Sequence, residues 1–378
     1  MLADRWDCKS VGMAKKLKKR AVVAIILLAV IAGGWLFYAL LKSPSSVLQQ
    51  AESFPFRRAT ATLVNEQGVH RHFVATNRTS ADGQADDFTG TQRGAQLRFG
   101  AFDTSVEPSL GFGMLINRTH WFQNEVIQLL DVNSLQREDF VLSLREQVAR
   151  SPYGAVLLVV HGFREEFSSA LRKTAFLGHV LDINAPLVVF DWPGDQGSTP
   201  GGYRRAHGIA AESGAELAAL MDLIVNEVQP KRLWVLANSM GAAVVTSAFS
   251  DLYARPDWAD IETEIEDVVL TAPDVGADIF DEEFRPQIEA LATHLTVYVS
   301  ANDRALIMSR IVNRGERRVG ESTLSPDQWE EAAQVFDLVD PGDTRLVLVD
   351  VTPVNRTRNF HNFSLETPEF FDDVFLRL

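Results

Sequence analysis

Four strand-forming apolar residues, Leu233-Trp234-Val235-Leu236, run without a break into Ala237-Asn238-Ser239-Met240-Gly241. A helix of small residues follows at once through Ala242, Ala243, Val244, Val245, Ala248 and Phe249. Few geometries satisfy this stretch. A strand that becomes a helix across one residue brings two backbones close together, so the positions two before and two after the serine must be small. Ala237 and Gly241 are. The serine then sits on a strained strand-to-helix turn with its hydroxyl clear of the sheet. The N–H groups that follow point to where negative charge develops on a reacting oxygen. A serine that only caps a buried helix is the plainer alternative.

From residue 152 onward the chain alternates strand and helix patterns. Ala155–Val160 is a continuous apolar run, the mark of a strand buried on both faces. Phe167, Ala170, Leu171, Thr174, Leu177 and Leu181 recur at helical spacing, as do Leu217, Leu220, Met221, Ile224 and Val228. Leu187–Phe190, Glu266–Leu270, Leu295–Ser300 and Leu346–Val351 read as further strands. The rhythm predicts a mainly parallel, doubly wound α/β sheet, with functional residues at the carboxyl ends of its strands. Upstream, Thr60–Val64, His72–Thr76 and Ala95–Phe102 read as strands and Asn77–Asp87 as a loop. His120–Asp131 and Phe140–Ala149 read as apolar-faced helices or strand–helix transitions.

A serine needs a base to take its proton, and the base needs an acid to orient it. Asp303 directly follows Val297-Tyr298-Val299-Ser300-Ala301-Asn302, at a strand's carboxyl end, and Asp274 ends the strand before it. Asp303 is the preferred acid, and Asp274 the second choice, a helix cap or a pocket residue. Only His294 and His361 follow Ser239 among the eight histidines. His294 precedes its strand and so lies at the wrong end of the sheet, whereas His361 follows the last strand in a loop able to reach over the edge. The main-chain N–H groups of Met240 and Phe163, the latter within Val159-Val160-His161-Gly162-Phe163, are the expected oxyanion donors. His161 reads as structural. Asn238, His161, Asp274 and Trp192 are expected around the pocket, bordered by the Gly- and Pro-rich loop Trp192–Tyr203. The chain has no Gly-x-Gly-x-x-Gly after a strand, no phosphate loop and no His/Cys metal spacing, so neither cofactor nor metal is expected. His70 and His72 share one side of a strand, and an exposed strand face fits them better than a metal pair. Asp281-Glu282-Glu283 reads as a solvated helical segment.

Taken together, Val159–Phe163, Val189-Phe190-Asp191-Trp192-Pro193, Ala237–Gly241, Thr271-Ala272-Pro273-Asp274 and Tyr298–Leu306 resemble the bacterial esterase/lipase-superfamily α/β hydrolases of uncharacterised function. Phe73-Val74-Ala75-Thr76-Asn77-Arg78, Arg93-Gly94 and Leu97-Arg98-Phe99-Gly100 extend the likeness upstream. The resemblance spans roughly residues 70 to 365. It implies an α/β-hydrolase fold and a Ser239–Asp303–His361 triad, and it implies no particular substrate. The chain departs from the group at Asn238, where histidine is usual.

The N-terminus adds a second theme. Residues 21–41 are uncharged, about 31 Å long as a helix and so long enough for a bilayer core. Five cations (Lys15, Lys16, Lys18, Lys19, Arg20) crowd the near end, and Trp35 and Tyr38 lie towards the far one. The positive-inside rule then predicts residues 1–20 cytoplasmic, 21–41 as an uncleaved anchor and 42–57 as a linker, with the main domain periplasmic or extracellular. Residues 58–150 are expected as a β-rich part packed on a hydrolase core of 151–378. Residues 1–20 carry +5, leaving −19 of the total of −14 for everything after them. No basic footprint is left for nucleic acid. With Cys8 as the sole cysteine no intrachain disulfide can form. The expectation is a membrane-anchored serine hydrolase acting on a small-molecule or lipid ester or thioester. Its alternative is an inactive hydrolase-shaped envelope protein that binds a lipid or protein partner.

Overall fold

The computed structural model describes residues 19–20, 22–31, 47, 58–84, 86–106, 127–258, 265–313, 315–321, 345–357 and 360–378. The chain divides into two compact units, residues 1–42 and 43–378. In the first, residues 22–31 are helical with exposed side chains. Among the described residues no helix is long and apolar enough to cross a membrane. The rest of the uncharged run and almost all of the 42–57 linker lie outside them.

The second unit is built on one nine-stranded sheet, ordered β3-β2-β1-β5-β4-β6-β7-β8-β9. Its strands are β1 (His70–Arg78), β2 (Arg93–Val106), β3 (Ile127–Leu135), β4 (Ala155–Val160), β5 (Leu187–Asp191), β6 (Arg232–Asn238), β7 (Ile265–Thr271), β8 (Ala292–Val299) and β9 (Leu346–Asp350). All neighbours pair parallel except β1 with β2 and β2 with β3. The three strands of the 58–150 region therefore continue the same sheet as the rest: Phe73–Thr76 of β1 pair in register with Val188–Asp191 of β5.

Alternation along the strands feeds two cores, one on each face. Val156, Leu158 and Val160 face α1 (Arg137–Arg150), α3 (Pro200–Glu212), α4 (Gly214–Leu223), α5 (Gly241–Tyr253) and α6 (Arg285–Leu291). Ala155, Leu157 and Val159 face α2 (Phe167–Leu181) and α8 (Pro368–Arg377), where Phe370 and Phe371 pack beside Phe176. Every residue of β4 is buried, as its unbroken apolar run requires. The sheet's order reverses beside β4, which has β5 on one flank and β6 on the other. Ligands bind at such a switch point, outside the carboxyl ends of the strands. α7 (Arg304–Val312) starts there, directly after β8.

Several local expectations differ from the outcome. Ile127–Leu135 is a strand at the sheet's edge, and a bulge opposite Asp103 and Thr104, which leaves Leu130 unpaired in register, interrupts its two-residue period. Thr60–Val64 is a turn carrying a single bridge, Leu63 to His70. β1 runs on through Asn77 and Arg78, so the loop starts only at Thr79. The border loop stops at Thr199, because Pro200 opens α3 and Thr199 caps it, its hydroxyl accepting from Gly202 N–H at 3.0 Å. His72 points to the sheet face covered by α2, beside Phe102, and is buried there. Burial, with a small push from His70, drives its pKa down to about 3. Its ring stacks on that of His70 with centroids 6.5 Å apart.

Candidate active site

β6 ends at Asn238, α5 begins at Gly241, and Ser239 between them has φ +54°. A non-glycine residue held in that region costs about 1–3 kcal/mol, so its surroundings must impose it. They do so through β7: Ser239 N–H donates to Thr271 O at 2.8 Å, and Asp274 N–H donates to Ser239 O at 3.1 Å. A Cβ on Gly241 would lie 2.6 Å from Val160 O, and one on Gly162 would lie 2.9 Å from Ser239 Cβ. These close approaches are why small residues flank the serine and why glycine follows His161.

Three side chains from three strand ends meet here. His361 Nε2 lies 3.0 Å from Ser239 Oγ, and its Nδ1 lies 2.7 Å from Asp303 Oδ2. Asp303 is fully buried and does two things at once. Its Oδ1 accepts from Ala305 N–H at 2.9 Å and Leu306 N–H at 3.1 Å, capping α7, while Oδ2 faces the imidazole. Burial by itself would depress the His361 pKa. The Asp303 carboxylate opposes it by charge and hydrogen bond, and the balance lies above the ordinary value. Phe360, just before His361, is in the left-handed region at φ +56°. Buried Asn355 holds that loop, its Nδ2 donating to Phe360 O and to Ser300 Oγ, each at 2.8 Å.

A family model described as alpha/beta hydrolase of unknown function (DUF900) matches residues 136–369. The chain belongs to that family. Solved structures similar to it include a putative hydrolase from Agrobacterium vitis S4, 14% identical at TM-score 0.31, covering 75% of this chain and 94% of that one. A cold-adapted esterase from an Arctic intertidal metagenomic library is 13% identical at TM-score 0.36, covering 83% and 96%. The Pyrococcus furiosus esterase Pf2001 is 15% identical at TM-score 0.32, covering 60% and 83%. No curated protein matches the chain.

In this α/β hydrolase the loop after β4 meets the elbow beside Ser239. The N–H groups of Met240 and Phe163 donate to no backbone carbonyl among the described residues. His161 stands apart from the Ser–His–Asp chain. Thr174 Oγ1 donates to Ala170 O at 3.0 Å and lies 2.8 Å from His161 Nε2, so it accepts from that nitrogen. Burial lowers the His161 pKa to about 4. Trp192 is buried and donates from Nε1 to His161 O at 2.7 Å, fixing the loop from below. Asn238 donates to Thr271 Oγ1 at 2.9 Å and Ser364 Oγ at 3.1 Å.

Asp274 serves a different cluster. Its carboxylate accepts from Tyr203 OH at 2.8 Å and Ser309 Oγ at 2.6 Å, with Arg318 Nε 3.2 Å away. Burial, then the Asp274 charge, pushes the Tyr203 pKa up to about 12. This cluster joins α3 to α7 across the cleft.

Sequence reasoning missed the most connected side chain near the site. Arg78 is buried and pairs with Asp191 and Asp195, each at 2.7 Å. It also donates to the carbonyls of Gly90, Glu165 and Trp192, and so braces three loops beneath the cleft. Only a planar fork with five donors can do this. The signal was faint: Arg78 lies within a motif and Asp191 within another, with no pattern linking them. A second unforeseen pair, Lys173 with Glu165, lines the cleft itself. The cleft holds about 440 Å³ and reaches Ser239, His361, Asp274 and Asn238.

Proposed function

We propose that this chain is a serine hydrolase that cleaves carboxylic esters or thioesters through an acyl-enzyme. Ser239 Oγ attacks the carbonyl carbon as His361 Nε2 takes its proton. The N–H groups of Met240 and Phe163 receive the oxyanion. His361 returns the proton to the departing alcohol or thiol. Water then adds to the acyl-enzyme, again through His361, releases the acid and restores Ser239. Asp303 keeps a proton on Nδ1, so that Nε2 is free to accept. The observation that carries this reading is the continuous Ser239–His361–Asp303 contact, 3.0 Å and 2.7 Å, on a serine held at φ +54°.

A fluorophosphonate probe and p-nitrophenyl acetate test it. Wild type should be labelled and should turn over; Ser239→Ala should do neither, while melting like the parent. Absence of labelling in both proteins would sink the enzyme and favour the binding-protein alternative.

The uncharged run 21–41 behind five cations supports a further reading, that the enzyme is anchored with its catalytic unit outside the cytoplasm. Retention in the membrane pellet after carbonate extraction is the expected result, and release of the intact chain would refute it.

A further inference from the structure

The cleft has two unlike halves. On one side lie Arg164 and the Lys173–Glu165 pair. On the other, α7 presents Ala305, Met308 and Val312 to the cleft at i, i+3 and i+7, one stripe of a helix. Leu306, nearly fully buried, closes the base beside them. Met308 is 58% exposed although it lines the cleft, and Ile311 on the same helix is 64% exposed. An unbranched thioether at the mouth of a groove adapts its shape to a flexible apolar ligand.

This wall is also rigidly placed. At its start the Asp303 carboxylate caps α7. Towards its end Ser309 donates to Asp274, and Asn313 donates to Tyr203 OH at 3.0 Å. Facing it, Phe163 and Tyr203 meet edge to face with centroids 5.7 Å apart. The groove starts at Ser239; Ala305, Leu306, Met308 and Val312 of α7 and the ring of Phe163 give it apolar surface, while Tyr203 OH, Asp274 and Ser309 satisfy one another's hydrogen bonds within its wall.

We infer that this groove is an acyl-chain subsite: the substrate is an ester of an aliphatic acid of medium length, whose chain lies along Ala305, Met308 and Val312. The polar half around Arg164 suits the water-seeking alcohol side, which leaves the apolar half to the acid. The inference rests on the serine-hydrolase reading. It adds that chain length sets the rate.

Burying a methylene is favourable in proportion to the apolar area it removes from water, and a groove open on one side covers only part of it. Each added methylene should therefore raise kcat/KM by about two- to fourfold. The experiment uses p-nitrophenyl esters from acetate to dodecanoate, below their micellar concentrations. It compares the full-length protein with Met308→Asp and, as a control on a distant surface, Leu376→Asp, a residue 82% exposed on α8. The readout is the octanoate-to-acetate ratio of kcat/KM within each protein. Wild type and Leu376→Asp should give about 50-fold or more over the six methylenes, and Met308→Asp should give a ratio at least about tenfold lower. A flat series in wild type, or an unchanged ratio in Met308→Asp, overturns the subsite. Hydrolysis of acetate that depends on Ser239 but not on chain length would leave the catalytic reading standing and remove this one alone.

Discussion

Replacing Asp303 by asparagine separates the two duties of one carboxylate. Oδ1 holds the first turn of α7 and Oδ2 holds His361. In Asp303→Asn the amide oxygen can keep the two backbone N–H groups, which leaves the NH₂ facing His361 Nδ1. That group can only donate, so Nδ1 must accept and the ring proton moves to Nε2, the nitrogen that should receive the Ser239 proton. kcat should fall by about 10⁴-fold, as when a serine-protease triad acid becomes an amide. The acidic limb of the rate profile should move as well. In the proposed mechanism a neutral imidazole is the base, so activity should rise with pH through the His361 pKa, which in wild type is raised above its ordinary value because Asp303 outweighs burial. Without the negative charge, burial acts against a weaker opponent and the limb shifts to lower pH. Stability should separate the other way. Asp303→Ala loses the cap, about 1 kcal/mol, or about 1–2 °C in Tm for a unit of this size, and Asp303→Asn loses less. Initial rates on p-nitrophenyl acetate from pH 5 to 9, with thermal melts of both variants, test this. Residual activity above about a tenth of wild type in Asp303→Asn, or a limb that stays in place, would refute the assigned hydrogen-bond sense.

Gly162→Ala would set a methyl 2.9 Å from Ser239 Cβ and 3.0 Å from Asn238 O, so turnover should drop at least about 100-fold with little change in melting; near-normal kcat would show that the elbow can yield. Arg78→Met strands the Asp191 carboxylate in a dry site and should cost about 3–5 kcal/mol in urea unfolding, with Arg78→Lys intermediate because one ammonium cannot reach all five acceptors. His72 and His161 stay neutral in the folded unit down to about 3 and about 4, against 6.5 when exposed. Their contribution to stability is thus full above 6.5 and is lost as pH falls towards those values, because the unfolded chain takes up protons first. His72→Phe, beside Phe102, should reduce the acid-side slope of unfolding free energy by up to about 1.4 kcal/mol per pH unit; an unaltered slope between pH 6.5 and 4 would contradict its burial as a neutral ring.

What could be read from the sequence was whatever is encoded locally. β4 announces itself by six apolar residues in a row, and the elbow by its small neighbours. Chain order narrows eight histidines to His294 and His361, strand position leaves His361, and His361 lies within hydrogen-bond distance of Ser239 and Asp303. The misreadings share a cause. His70 and His72 look like an exposed face until α2 is known to pack on it, and β3 lacks a period because a bulge opposite Asp103 and Thr104 shifts its alternation. Arg78 with Asp191, Lys173 with Glu165 beside the serine, and Tyr203 with Asp274 are pairs whose meaning comes from folding. For Arg78 and Asp191, 113 residues apart, no window along the chain contains both partners.

The family match begins at residue 136, but the folding unit cannot. A polypeptide trimmed to that point would keep all three members of the Ser–His–Asp set and still lose β1, baring the N–H and C=O row of β5 from Val188 to Asp191. It would also leave Asp191 without its guanidinium. An open, apolar strand edge of that kind recruits other chains, so the trimmed protein should aggregate on expression despite carrying the whole proposed triad.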